Sequence, residues 1–446
     1  MLKTPLLACA SIMAIAGLTA ARADTPGQPF TNIQPSLALT QVTPTGAGGV
    51  FPSFTSGGAL GNTDGFIYDF AGNYAPSGSV YANGQTLPIT GNSSVFSLVG
   101  TTYGGNGTTN FGVPNLIGQA IIGAGAGAGL PVQTLGVPTG SATTSLTIAN
   151  LPPPTGSGVP FSNIQPSLPL IPLIAVSGSF PSMGSTNGSA FVGQIAYYAG
   201  SLGNANQFLP NGWAVADGST LTFAGNPALG SVLGDQFGGN GSTTYALPNL
   251  LGRVAVGATT ANPVGTQFGQ AATSLTTANL PPGGTPVTND QPSLAVNYII
   301  ATQGIFPSQG GVSGGFGQTT ATLGEVVMFG GDYAPAGWAF ANGQTLLDTS
   351  NEALFNVIGT TYGSGGPGTF DLPNLDGLTT IGADGSSIPP GFTEGVDQNV
   401  LTADNIPTTT SSDLPEPASL TVLVFGFVGS LAARRRRKSR YLPMQN

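Results

Sequence analysis

Short apolar runs recur along the chain, separated by stretches rich in glycine, threonine and proline. Three of these runs read as aromatic strands: "FIYDFAG" from Phe66, "QIAYYAG" from Gln194 and "EVVMFGG" from Glu325. In "NDQPSLAVNYIIATQGIFPS" the apolar residues Leu294, Val296, Tyr298 and Ile300 alternate with their neighbours, which predicts a further strand. "GWAVADGSTL" and "GWAFANGQTL" set an Asp/Asn-Gly pair between two short strands, a pattern that predicts a hairpin. After each comes one helix of one to two turns, in "NSSVFSLVG", "NPALGSVLG" and "NEALFNVIG". Asn92, Asn226 and Asn351 are placed to accept the first orphan N–H groups, and Gly100, Gly234 and Gly359 to stop the turn. Helices this short need packing to persist.

The runs belong to a repeat. Blocks starting at Gly65, Gly193 and Gly324 align, and Asn83-Gly84, Asp217-Gly218 and Asn342-Gly343 precede Asn115, Asn249 and Asn374 by 32 residues each time. An interval that does not vary predicts a compact unit. Trp213 and Trp338 occupy matching places, with Ser79 equivalent and Tyr81 two residues on. A large ring there reads as the plug of a small core, with sugar stacking as a second use. Between blocks a second piece recurs, "NIQPSLALTQVTPTGAGGVFPS" from Asn32, "NIQPSLPLIPLIAVSGSFPS" from Asn163 and the Asn289 copy quoted above. The first copy has no block before it, and the third block has no such piece after it. The expected organisation is a truncated leading fragment at 24–63, repeats at 64–183, 190–308 and 323–407, and a polar tether at 408–417.

Charge changes the picture at the two ends. Of nine lysines and arginines, Lys3 and Arg22 open the chain, six cations cluster between Arg434 and Arg440, and only Arg253 lies between. The 446-residue chain is about a quarter glycine and proline and contains no histidine. Residues 1–23 have the basic, apolar and small-residue order of a signal peptide, with Ala21 and Ala23 flanking the cleavage site. Cys9, the only cysteine, falls inside that segment, so nothing after it can form a disulfide. At the other end Ala418 to Ala433 carries no charge; as a helix its 16 residues would span about 24 Å, and Arg434, Arg435, Arg436 and Arg437 would hold it on the cytoplasmic side. Trimming near Asp24 and Glu416 would leave 18 acidic residues against Arg253, 1 − 18 = −17, a surface that repels nucleic acid.

Pro415-Glu416-Pro417, the apolar span and the arginine cluster resemble, in that order, the PEP-CTERM sorting signal of Gram-negative bacteria. That resemblance implies export, transient inner-membrane anchoring, cleavage by an exosortase-type processing enzyme and delivery to the outer surface or an extracellular matrix. The blocks resemble the phage tail collar domain, including the microcystin-dependent proteins. The likeness runs through Gly337-Trp338-Ala339, Asn342-Gly343-Gln344 and Leu372-Pro373-Asn374-Leu375, and through Leu247-Pro248-Asn249-Leu250 with Gly252-Arg253. Copy one departs with Ser79-Val80 and Gln119, and copy three with Leu378 at the arginine place. Family members commonly follow Asn-Leu-Pro with histidines; here Asn150, Asn279 and Asn405 begin segments without them, which removes a histidine metal site from the inheritance. The family implies a structural, receptor-facing role, with trimeric self-association an expectation.

Catalytic triads and imidazole or thiolate metal sites need residues that the body of this chain lacks. The glycine-rich "GTTYGGNG" has no Gly-Lys-Ser/Thr and reads as tight turns instead of a phosphate loop. Asp371, Asp376 and Asp384, with Glu394 and Asp397 nearby, leave open an oxygen-ligand calcium site against a solvated acidic face. Sequons start at Asn92, Asn106, Asn187 and Asn240. The sequence thus predicts a mainly β fold of tandem collar-like modules with one short helix each, followed by a C-terminal transmembrane helix. It predicts no enzyme and no cofactor, but an exported surface or matrix protein that is structural or adhesive. An array of carbohydrate-binding modules, with extracellular polysaccharide as partner, is the first alternative and a secreted matrix hydrolase the second.

Overall fold

Each recurring NxQPSL piece forms a nine-residue strand: Ser36–Pro44, Ser167–Ala175 and Ser293–Ala301. These long strands organise the computed structural model, which describes residues 24–45, 64–178, 191–202, 209–306, 321–384 and 386–409. The second half of each pairs antiparallel with the aromatic strand that follows it, Phe66–Phe70, Gln194–Tyr198 or Glu325–Phe329. Its other edge takes Ser79–Tyr81, Trp213–Val215 or Trp338–Phe340.

The first half of each long strand accepts a parallel strand from the end of a collar-like block, the third block supplying the first long strand. Ala120–Gly123, which ends block one, pairs with Ser167 to Leu170. Val254–Gly257 of block two pairs with Ser293 to Val296. Thr379–Gly382 of block three pairs with Ser36 to Leu39, back at the start of the chain. Every block therefore hands its last strand to the next long strand, and the third hands its own to the first. The leading fragment supplies the piece that block three lacks, and the arrangement closes into a ring with pseudo-threefold symmetry. Asp24–Thr25 pairs with Thr408–Thr409, so the two described chain ends lie side by side.

Around the axis the aromatic strands form a triangle of antiparallel pairs, with Gln194 opposite Phe329, Tyr197 opposite Ile67, and Glu325 opposite Phe70. Alternation in the sequence suggests half-buried long strands, yet nearly every residue in them is buried. Both edges are paired, and residues pointing to either face of these strands are covered by packed neighbours. Leu39, Leu170 and Val296 are wholly buried, each such side chain contributing about 1.5–3 kcal/mol. Ala38, Ala120, Ile122, Val254, Val256 and Ile381 make a small second core from all three repeats. A third core gathers Leu146, Leu275 and Leu401 with Phe161 and Val287.

Three expectations need correcting. No helix among the described residues is long and apolar enough to cross a membrane. The helices Ser93–Val99, Pro227–Leu233 and Glu352–Ile358 have seven residues each, about 10 Å against a hydrocarbon core of about 30 Å. The transmembrane helix in the expected fold class is withdrawn, and inner-membrane anchoring with it; residues 418–440, on which that reading fell, lie outside the described residues. The Asn/Asp-Gly hairpin does not form either. Ser79–Tyr81 joins the large sheet, whereas Thr86–Pro88 pairs with Asn110–Gly112. Lastly, the asparagines before the helices make no side-chain cap. Asn92 and Asn351 instead donate backward from Nδ2 to the carbonyls of Pro88 (3.0 Å) and Leu347 (3.1 Å). Gly100, Gly234 and Gly359 do end their helices, each at φ 55°.

Candidate functional site

The residues that recur most faithfully meet at one turn per block. Asn83 bridges Asn115, Asp217 bridges Asn249, and Asn342 bridges Asn374, so the constant 32-residue interval reflects a backbone contact. The glycine of each pair, at φ 77°, 83° and 76°, donates its N–H to the proline carbonyl of the Pro-Asn-Leu segment at 3.0–3.1 Å. This contact takes the hydrogen bonds that a hairpin would have used. Arg253 is buried and donates to the carbonyls of Asn249 (3.4 Å) and Leu251 (3.3 Å); burial lowers its pKa. Gln119, at the same place in copy one, donates to the Asn115 carbonyl at 2.9 Å. The arginine and its substitute thus brace the same turn.

A second set of recurrent residues joins one repeat to the next. Tyr103 donates its hydroxyl to the carbonyl of Ala199 (2.8 Å), and Tyr362 donates to that of Ala71 (2.7 Å). The glycine-rich "TTYGG" stretch is therefore an inter-repeat clamp. Trp213 is buried and packs on Phe66 of block one with ring centroids 4.9 Å apart. Trp338 is half-buried, edge-on to Phe191 at 5.5 Å. Trp213, being buried, presents no free face of the kind that stacks on a sugar.

The NxQPS motif, quoted above without a role, forms the inner ring. Asn32 donates to the Ile164 carbonyl (2.8 Å), Asn163 to that of Asp290 (2.7 Å) and Asn289 to that of Ile33 (2.8 Å), passing once round the axis. The Gln34 N–H donates to Gln165 Oε1 at 2.8 Å, and the Gln291 N–H to Gln34 Oε1 at 3.2 Å. Sequence reading missed this ring. Its signal was present in complementary omissions: a leading NxQPS piece without a block, and a last block without that piece.

The carboxylates noted for calcium are not gathered. Asp384 accepts the N–H groups of Ser386 (2.8 Å) and Ile388 (2.7 Å), and with the Ser387 hydroxyl these bonds hold its pKa down at about 2. Asp371 accepts the Thr345 hydroxyl. Glu394 lies in a strand pair opposite Ser36. No group of three acidic, histidine or cysteine residues that could hold a metal ion occurs among the described residues. Two acids sit deeper. Glu325 is buried at the triangle of aromatic strands, where desolvation pushes its pKa up to about 7 despite the Thr322 N–H that it accepts at 3.1 Å. Asp69 is pushed up to about 6 by burial, although Gln41 Nε2 donates to it at 2.9 Å.

Two clefts open beside the Asn-Gly turns. One, of about 220 Å³, is lined by Thr40 of the first long strand, by Tyr81, Asn83 and Ile117 of block one, and by Ala383 and Asp384 after the strand received from block three. The other, of about 180 Å³, is lined by Asn297 of the third long strand, by Phe340, Asn342 and Asp376 of block three, and by Ala258 after the strand received from block two.

Ala21 and Ala23, and Pro415, Glu416, Pro417 with Arg434 to Arg437, lie outside the described residues. No curated protein and no solved structure matches the chain. The family match concerns the blocks alone and carries neither the finer likeness to microcystin-dependent proteins nor the sorting signal. Residues 65–121, 193–255 and 324–380 each match the Phage Tail Collar Domain, so three regions of the chain, together less than half of it, are similar to a family that is structural rather than catalytic, in keeping with a non-enzymatic protein.

Proposed function

We propose that this chain is an exported structural or adhesive protein that does in one polypeptide what a trimer of collar subunits would do. One observation carries the reading: the Asn/Asp-Gly, Pro-Asn-Leu and NxQPS segments that recur in all three repeats make turns, strand exchanges and hydrogen bonds between repeats. An enzyme built by triplication would be expected to preserve a reactive constellation at least once. Here the preserved groups are Asn-Gly, Pro-Asn-Leu, NxQPS and the stacked rings. Three collar copies already joined in a ring also make self-association into a trimer unnecessary for completing the fold.

Export is supported by the order of basic, apolar and small residues at the start. Processing by an exosortase-type enzyme at Pro415-Glu416-Pro417 belongs to the same proposal. Fractionation of the native host, with mass spectrometry of both ends of the protein, tests it. The expected product lies outside the cell, starts at Asp24 and lacks the arginine cluster. A full-length chain confined to the cytosol overturns it. Saccharide binding keeps a place as a second reading because of the two clefts.

A further inference from the structure

The two clefts are the same place in two repeats. Strand register makes Tyr81 equivalent to Phe340, since they lie opposite Val42 and Ile299, and makes Thr40 equivalent to Asn297 in the long strands. Asn83 and Asn342 are the turn asparagines, while Ala383 and Ala258 follow the strands received from the preceding block. A hollow that recurs under pseudo-symmetry, at a junction built from two repeats, is a property of the architecture.

The third junction is lined differently. There the ring position is Val215, and Leu251 replaces Ile117 or Asp376. Leu251 folds over Gly125, its Cδ2 only 3.1 Å from where a Cβ on that glycine would stand. The turn residue Asp217 is occupied by the Ser219 N–H at 2.9 Å and by the Ser219 hydroxyl. That position has no ring. The other two keep one, and Asn83, whose Oδ1 accepts the Gln85 N–H at 3.2 Å, keeps its Nδ2 free among the described residues.

Their chemistry is that of an aromatic face beside unspent hydrogen-bonding groups. Tyr81 is 37% exposed at the end of its strand. The exposed Asn342 side chain has no protein partner among the described residues. Asn297 spends Nδ2 on the Gly331 carbonyl (2.7 Å), which leaves Oδ1 as an acceptor. Asp376 adds a carboxylate whose partial burial raises its pKa. A ring face takes the C–H side of a pyranose. Carboxamide and carboxylate groups take its hydroxyls as donors and acceptors.

Both volumes fall below the roughly 300 Å³ at which drug-sized pockets begin, which suits a single sugar ring. Sixteen acidic residues against Arg253 between positions 24 and 409 select against uronates and phosphosugars. We infer that the two clefts beside Asn83 and Asn342 each bind one unit of a neutral saccharide, with Tyr81 and Phe340 as the stacking rings. Two weak sites on one rigid ring would hold a polymer by avidity.

Purified protein suffices for the test, so a failure here would leave the reading of the chain as an exported scaffold standing. Saturation-transfer NMR is run with glucose, galactose, mannose and N-acetylglucosamine, each at about 10 mM, against the intact protein, Y81A, F340A and the double variant. A ligand of millimolar affinity is in range at that concentration. At least one sugar should show transfer concentrated on one ring face, reduced in each single variant and lost in the double variant. Circular dichroism and Tm serve to confirm that the variants remain folded. No transfer from any of the four sugars, or transfer undiminished in a folded double variant, overturns the inference.

Discussion

The pairing of Ser36–Pro44 with Thr379–Gly382 makes a strong statement about connectivity: the first long strand of the chain receives the last strand of the last block. Deleting residues 24–45 should therefore damage block three and the ring, although the segment precedes all three blocks. The loss can be sized. Leu37, Leu39 and Val42 are 0–3% exposed, and at about 2 kcal/mol each they contribute about 6 kcal/mol. The hydrogen bonds with Thr379–Gly382, Phe66–Phe70 and Ser79–Tyr81 are lost in addition. Folded domains hold only about 5–15 kcal/mol in reserve, so the deleted chain should not fold cooperatively. A synthetic peptide of residues 24–45, added in trans, should restore the far-ultraviolet circular dichroism. Conversely, a circular permutant that starts at Asp64, runs to Thr409, and continues through a short linker into residues 24–45 should fold with a Tm within a few degrees of the parent. Asp24 sits directly opposite Thr409, a separation of about 5 Å that a few residues span. A deletion variant with unchanged Tm, or a permutant that fails to fold, would refute the closed ring.

Four further outcomes follow from named contacts. Gly257→Ala would place a Cβ 1.8 Å from the Leu375 carbonyl oxygen, so the strand passed from block two should be displaced, with a fall in Tm of several degrees; Gly91→Ala, which meets nothing within 4 Å but has φ 87°, should cost less. Tyr103→Phe and Tyr362→Phe should each cost about 1 kcal/mol in urea unfolding; the corresponding residue of block two is already Phe237. Glu325, raised from 4.5 to about 7 by burial, keeps its proton in the folded state after the unfolded chain has lost it. Stability should thus be fullest below pH 4.5 and fall by about 3 kcal/mol as pH rises through 7, and Glu325→Gln should flatten that slope. Trp213→Ala, which empties a buried site against Phe66, should cost about 3–5 kcal/mol, seen as a lower urea midpoint.

Local patterns reached as far as local physics does. The aromatic strands, the three helices and their glycine stops were legible because each is decided within about ten residues. The Asn-Gly hairpin was misread for the same reason: the pair has the right backbone preference, but Pro114, Pro248 and Pro373 offer carbonyls from some thirty residues away that win its N–H groups. The helix-preceding asparagines were misread because a backward bond to the i−4 carbonyl competes with capping. Ring closure was the hardest to see, since no periodicity reports that residue 38 pairs with residue 381. The departure at Gln119 looked like divergence in sequence, yet it and Arg253, which keeps the pattern, prove to be two ways of bracing one turn.

Joining three repeats in one chain removes a constraint that symmetry imposes on a homotrimer. In a homotrimer, a residue near the axis appears three times, so a buried carboxylate there would face two copies of itself and repel them. In this chain the equivalent places along the aromatic strands hold Asp69, Tyr197 and Met328 at one level, and Phe66, Gln194 and Glu325 at another. Each level carries a single acid, which can be satisfied locally: Asp69 by Gln41, and Glu325 by the Thr322 N–H. The same freedom lets the linings of the junctions differ, with Leu251 standing where the other two blocks have Ile117 and Asp376. Covalent linkage thus keeps the exchanged-strand scaffold and lets its interior and its clefts diverge one at a time.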